Sequence, residues 1–304
     1  MISFRYHLVS VIAVFLALAL GILVGTTGLN GAILSDLKKQ VRTLRGETSS
    51  LRASNDSLTT VAANDEKFAS TYLQPILAGR LTGRTVAVIS APGTSGKLKN
   101  GANAALTAAG AKVVTQIQLS PSFIDPARSS DIVSLLAGPA LPYGIQLPAS
   151  SDASVQAGAV LGYVISGRGK PTDLGQVLSS FSGLHMLSVN DTPHKAALAV
   201  VLTNGTFVKT DGRAKAMPSV VTELHAYGIK TVVAGDTVSS TQSGLIEAVR
   251  ADGTLSSSVS TVDNADSSIG QVSTALALAG LVLGQSGQYG TGAGADSLFP
   301  PAAK

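Results

Sequence analysis

The sequence predicts an N-terminal transmembrane helix and a coiled-coil stalk, followed by an α/β domain with a mainly parallel, doubly wound sheet. Three observations predict it. An apolar run of 22 residues covers positions 8–29. Leucine then recurs every seven residues, at Leu37, Leu44, Leu51 and Leu58. From residue 82 onward, short β-branched runs alternate with alanine-rich helical stretches. The expected divisions are a membrane anchor at 1–31, a stalk at 32–66, an α/β domain at 82–284 and a flexible glycine-rich tail at 285–304.

As a helix, the apolar run spans about 33 Å, enough for a hydrocarbon core of roughly 30 Å. Its rival is a cleaved signal peptide, for which Ala17-Leu18-Ala19 imitates a small-x-small cleavage site. Cleavage there leaves an apolar core of only 8–16, with 20–24 still apolar beyond it, so the uncleaved anchor is the preferred reading. Charge leaves the orientation open. Lys38, Lys39, Arg42 and Arg45 follow the run against Asp36, whereas Arg5 and His7 precede it. That count favours a cytoplasmic C-terminal side, but the sparse charge of the rest of the chain points to export, so the domain is expected to be extracytoplasmic. Ala13, Ala17, Gly21 and Gly25 recur every four residues on one helix face. Small residues at that spacing let two membrane helices approach closely.

With the leucines at d, the a positions are Leu34, Val41, Thr48, Asn55 and Ala62. Leucine at d suits parallel dimers, and one asparagine at a fixes register. Glu47 at g faces Arg52 at e of a second copy, an attractive pair. Thr48, Asn55 and Ala62 make the a layer thin; the alternative is a single amphipathic helix packed on its own domain. The expected self-association surface is Gly21, Gly25, Leu34, Leu37, Val41, Leu44, Leu51, Asn55 and Leu58. Gly28, Asn30 and Gly31 predict a kink between anchor and stalk.

In the globular part, TVAVIS at 85–90 reads as a buried strand closed by Ala91-Pro92-Gly93. Further strands are expected at 112–119, 197–202, 231–234 and 259–262. Helices are expected at 98–109, 153–165, 174–181, 218–227 and 244–251, and a final apolar helix at 271–283. The last is too short to cross a bilayer and reads as a core crossover helix. Strand alternating with helix means a parallel sheet covered on both faces. The Pro-rich stretch 124–151 reads as irregular.

Composition narrows the function. Charged residues are only 13% of the 304, leaving a lightly charged surface. The net charge of +4 is scattered, with no aromatics placed to stack on bases, so nucleic acid is not an expected partner. The absence of cysteine excludes disulfides, thiolate metal sites and cysteine nucleophiles. SAPGTSGKL at 90–98 lacks phosphate-loop spacing: Ala91 stands where the first glycine belongs, and Leu98 stands where a hydroxyl should follow Lys97. Asp236, Asp263 and Asp266 follow strands, where carboxylates either bind a cation or cap the next helix. His185, Met186 and His194 form the nearest approach to a soft-metal set. The metal candidates are therefore His185, Met186, His194, Asp263 and Asp266. No serine sits in a GxSxG elbow, and no catalytic residue is assigned.

The opening SFRYHLVSVIAVFLALALGILVGT, the heptad stalk, YGIKTVVAGDT (227–237), STVDNAD (260–266) and GQYG (287–290) together resemble the MctB-type copper-transport proteins of actinobacteria. The resemblance runs nearly end to end. It implies a non-enzymatic envelope protein of copper efflux or homeostasis, described as a channel and placed by the family at the outer membrane. Copper is then cargo, with no resident cofactor. Six Tyr, seven Phe and no Trp give no aromatic girdles for a β-barrel. One helix cannot enclose a pore, so a channel requires several copies. The expected partners are a second copy of the chain and the lipid bilayer. The rival readings are an envelope scaffold, and a small-ligand-binding α/β domain using the loops after Ser90, Ala234 and Val262.

Overall fold

The computed structural model describes residues 4–139, 141–142, 144–190, 193–208 and 212–301, with the side chains of 26–33 outside the description. The chain divides into two compact units, Met1–Asp65 and Glu66–Lys304.

The first unit is helical throughout, as the larger part of α1 (Phe4–Leu77). Its segment Phe4–Gly25 is long and apolar enough to cross a membrane, and none of it is buried in the protein. Where a kink is expected, at Gly28, Asn30 and Gly31, the helix continues. The stalk leucines all face outward, Leu51 being 71% exposed. The Thr48 hydroxyl donates to the Leu44 carbonyl at 2.7 Å. That bond satisfies the polar atom within its own helix and leaves the methyl group for packing.

The second unit begins with the last turns of α1. Ala69, Leu77 and the following Leu81 are buried against the α/β domain. The elements then run β1 (Thr85–Ser90), α2 (Gly96–Ala108), β2 (Lys112–Leu119), α3 (Ser129–Leu136), α4 (Ala153–Ser166), α5 (Pro171–Gly183) and β3 (Leu187–Val189). They continue with β4 (Leu198–Thr203), α6 (Arg213–Ala226), β5 (Lys230–Gly235), α7 (Leu245–Ala251), α8 (Gly253–Ser258), β6 (Ser260–Val262), α9 (Ser268–Val282) and β7 (Gln288–Tyr289). The sheet order is β3-β2-β1-β4-β5-β6-β7. Every pairing is parallel except that of β3 with β2.

The strands read as continuous apolar runs because both faces are buried. Ala87, Ile89, Ala199, Val201 and Val233 point into one core, which also holds Val160, Val164 and Leu224. Val86, Val88, Val200, Val232 and Val262 point into the other, with Leu98, Leu106, Leu278 and Leu77. The period-two alternation of strand side chains divides β1, β4 and β5 between the cores. The final apolar helix is a core element, with Leu278 and Ala275 wholly buried. Its N-terminus is closed from α1: Glu66 accepts from the Ser268 amide and hydroxyl, both at 2.8 Å. A carboxylate there satisfies orphan amides and matches the helix dipole.

Three sequence expectations are corrected. The stretch 124–151 contains a regular helix, α3, whose Ile132 and Leu136 face the core. The short edge strand β3 was not expected. The tail from 285 is not an unstructured extension: β7 adds to the sheet edge, and the residues after it are tied to β6 by a buried ionic network.

Candidate functional site

In a parallel sheet, ligands collect beyond the strand C-termini where the strand order reverses. Here that point lies between β1 and β4. The loops there bond to one another. The Ala91 amide donates to the Leu202 carbonyl at 2.8 Å, and the Thr94 hydroxyl to the same carbonyl at 3.1 Å. The Ser95 amide donates to Asn204 Oδ1 at 2.9 Å, and Ser95 Oγ caps α2 by accepting from Leu98. Asn204 Nδ2 and the Gly205 amide then donate to the Asp236 carboxylate, which also caps its own loop through the Ser239 amide. Asp236 is therefore a cross-loop clasp. The Ala91 and Ser95 amides, the Thr94 hydroxyl and the Asn204 side chain are thus engaged within these loops.

Asp263 sits at the end of β6 and is fully buried; Arg250, on α7, is 6% exposed. Their ion pair is 2.9 Å long. Asp263 Oδ1 accepts from the amides of Thr291 at 2.7 Å and Gly292 at 3.0 Å. Arg250 also donates to Thr261 Oγ1, the Tyr289 carbonyl and the Ala293 carbonyl. Gly290, at φ 126°, must be glycine, because a Cβ there would overlap the Asp263 carboxyl group. The VDNAD and GQYG stretches thus form one latch that closes the sheet edge.

The metal candidates are placed as follows. Met186 is wholly buried in the core, whereas His185 and His194 are exposed. The thioether is therefore not presented at the surface beside the imidazoles. The Asp263 carboxylate faces Arg250, and Asp266 is exposed on the turn after β6. Among the described residues, no three His, Asp or Glu side chains gather as a metal-holding group.

One cavity was not expected from the sequence. It has a volume of about 680 Å³ and is lined by Gln146, Leu147, Pro148, Tyr163, Arg168, Glu223 and Tyr227. It forms where α6 lies close on α4. A Cβ on Gly162 would stand 3.1 Å from Tyr227 Cγ, so the glycine permits that approach. The Tyr163 and Tyr227 rings meet edge to face at 6.3 Å, and the Arg168 guanidinium lies 5.0 Å from the Tyr227 ring centre. Glu223 is only 9% exposed. Burial raises its carboxyl above the usual range, and raises the Tyr227 phenol with help from the Glu223 charge. The sequence signal was an acid within the apolar stripe Met217, Val220, Val221 and Leu224.

Among the described residues lining the cavity, Arg168, Tyr163 and Tyr227 are the other charged or titratable groups. The folded chain keeps the Glu223 proton to a higher pH than the unfolded chain does. Below the unfolded value of about pH 4, Glu223 therefore costs nothing; stability is lost as pH rises through the raised folded value. Glu223→Gln is expected to raise the melting temperature at pH 7 and leave it unchanged below about pH 4. A lower melting temperature at pH 7 would contradict this.

Fold and site define a class: a chain whose apolar N-terminal helix fits a membrane anchor, joined to an α/β domain with a mostly parallel sheet. The chain belongs to the family described as copper transport outer membrane protein, MctB, which matches residues 1–300. It is similar to the copper transporter MctB of Mycobacterium tuberculosis, 28% identical over 310 residues that cover 98% of this chain and 99% of that protein. It is also similar to the copper transporter MctB of Mycobacterium leprae, 29% identical over 316 residues that cover 99% of this chain and all of that protein. The family is one of copper transport and not of enzymes.

Proposed function

We propose that this chain is a single-pass, membrane-anchored envelope protein that takes part in copper efflux or homeostasis as a dimer or higher oligomer. The observation that carries the reading is the continuity of α1. An apolar segment long enough for a bilayer passes directly into a helix whose heptad leucines have no cover in the single chain. Exposed apolar surface of that extent costs free energy in water, and lipid followed by a second stalk relieves both parts of it. The stalk pairs as a parallel coiled coil, with Gly21 and Gly25 at the helix contact in the membrane. Tethering in one bilayer raises the effective concentration and offsets the thin a layer. The α/β domain, read as doubly wound, lies outside the cytoplasm.

Copper enters as cargo, from the names of the relatives. A transport path needs no tight ligand cage, and a pore would lie among copies rather than within one chain. The test is cellular copper in a deletion strain. Copper is expected to rise on deletion and to fall again when the intact chain is restored, but not when Leu44→Ala and Leu51→Ala are present. Unchanged copper on deletion would end the transport reading. An envelope scaffold would instead show co-purifying partners and no conductance from the purified oligomer.

A further inference from the structure

Just beyond the apolar span, α1 carries a block of positive charge that the chain itself leaves unmatched. Residues 8–35 hold no ionisable side chain. They lie within α1, and as a helix they span about 42 Å. A bilayer with both headgroup layers is about 40–45 Å thick. Charge resumes where that thickness ends, with Asp36 and then Lys38, Lys39, Arg42 and Arg45. All four bases are exposed. Among the described residues, no ion pair includes any of them. Arg42 stands three or four residues from each of the other three, a spacing at which like charges on a helix repel. An external anion relieves that repulsion. We propose that Lys38, Lys39, Arg42 and Arg45 bind the phosphate groups of anionic lipids in the leaflet at the C-terminal end of the anchor. The inference rests on the reading of α1 as a membrane anchor, and adds the class of lipid that the anchor selects.

The helix geometry aims these groups at the bilayer. Side chains on a helix lean toward its N-terminus. Here that direction is the membrane, so the long stems of Lys38 and Lys39 return their ammonium groups to the headgroup layer. Arg42 and Arg45 follow Lys38 by about 6 and 10 Å along the axis, comparable with a screening length of about 8 Å at physiological salt. A guanidinium meets a phosphate with two parallel N–H donors. The heptad puts Lys38 and Arg45 at e, Lys39 at f and Arg42 at b, all off the a and d seam. Pairing of the stalk therefore leaves them accessible to lipid. The next base, Arg52, has Glu47 of a second copy as its match, and residues 53–66 contain no Lys or Arg at all, only Asp56, Asp65 and Glu66. Bases confined to the membrane-proximal turns fit a charged surface at that level, and not an acidic protein lying along the whole stalk. At the other end of the span Arg5 is the one Lys or Arg, so the block addresses a single leaflet.

The chain has no tryptophan, so Leu23→Trp supplies one reporter near the C-terminal end of the span. Leu23 is 63% exposed and lies on the helix face opposite Gly21 and Gly25. The full chain is reconstituted in vesicles of phosphatidylcholine and phosphatidylglycerol, with bromine on the acyl chains of one lipid or the other; bromine quenches tryptophan on contact. Brominated phosphatidylglycerol is expected to quench as though it bound about threefold more strongly, or better, than brominated phosphatidylcholine. Combining Lys38→Gln, Lys39→Gln, Arg42→Gln and Arg45→Gln should bring that ratio to about one; the sites are exposed and glutamine is a good helix former, so the fold is kept. Salt at about 1 M, where the screening length is about 3 Å, should do the same to the chain with its bases intact. Arg5→Gln should leave the ratio unchanged. Equal quenching by the two lipids, a preference that survives the fourfold substitution, or one that is lost with Arg5→Gln would each overturn the proposal while leaving the anchor in place. Quenching by neither lipid would overturn the anchor reading, and this proposal with it.

Discussion

Replacing Arg250 with leucine is expected to cost the α/β domain about 3–5 kcal/mol, the usual penalty for removing one partner of a buried ion pair. At about 2–4 °C per kcal/mol for a domain of this size, the melting temperature falls by roughly 10 °C. The size follows from what is stranded. Asp263 is fully buried, and without Arg250 its Oδ2 keeps no counter-charge. The Tyr289 and Ala293 carbonyls lose donors in the same step. Leucine fills the volume but supplies none of this. Replacing Asp263 with leucine as well should cost less than the sum of the single changes, because the uncompensated charge is removed. Thermal unfolding followed by circular dichroism checks it. A loss below about 1 kcal/mol would place the pair with surface salt bridges and contradict the latch.

The second large effect concerns the stalk. If the stalk pairs as proposed, Leu44→Ala and Leu51→Ala together are expected to dissociate the proposed oligomer without disturbing the α/β domain. A buried leucine shortened to alanine costs about 2–5 kcal/mol in a packed core. In the proposed coiled coil the a layer offers little to offset two such losses per chain, since Thr48, Asn55 and Ala62 are small or polar. Even about 2.7 kcal/mol weakens association a hundredfold. Sedimentation in detergent reads the change directly. Thermal unfolding of the domain should be unmoved, since Leu44 and Leu51 lie in the unit 1–65 and the domain core in the unit 66–304. An unchanged oligomer would mean that the leucine face is not the contact.

The strands β1, β4 and β5 were legible because burial on both faces writes itself as an unbroken β-branched run, as in TVAVIS and LAVVLT. The core role of α9 was legible from its length and lack of charge. The tail was not. Its glycines report the conformational freedom of the unfolded chain, whereas its order comes from Asp263 and Arg250, far away in sequence. Asp263 itself looked like a helix cap or cation ligand, because nothing local shows that an arginine on α7 faces it. The helix α3 was hidden by the prolines on either side of it, which mark the flanking turns and not its interior. The Glu223 cavity was illegible for a related reason. An acid on an apolar helix face is visible, but the approach of α4 that gives it two tyrosines and an arginine is set by tertiary packing at Gly158 and Gly162.

The central claim is that α1 stays in the membrane and pairs its heptad face with a second copy. The chain has no cysteine, so single cysteines can be introduced without background. Leu51→Cys, at a d position, and Ser50→Cys, one residue away on the outer face, are oxidised in intact membranes and run without reductant. The account predicts a disulfide-linked dimer for Leu51→Cys, little for Ser50→Cys, and full-length protein in the membrane fraction for both. Equal cross-linking at the two positions, or a soluble product starting near Leu20, would contradict it.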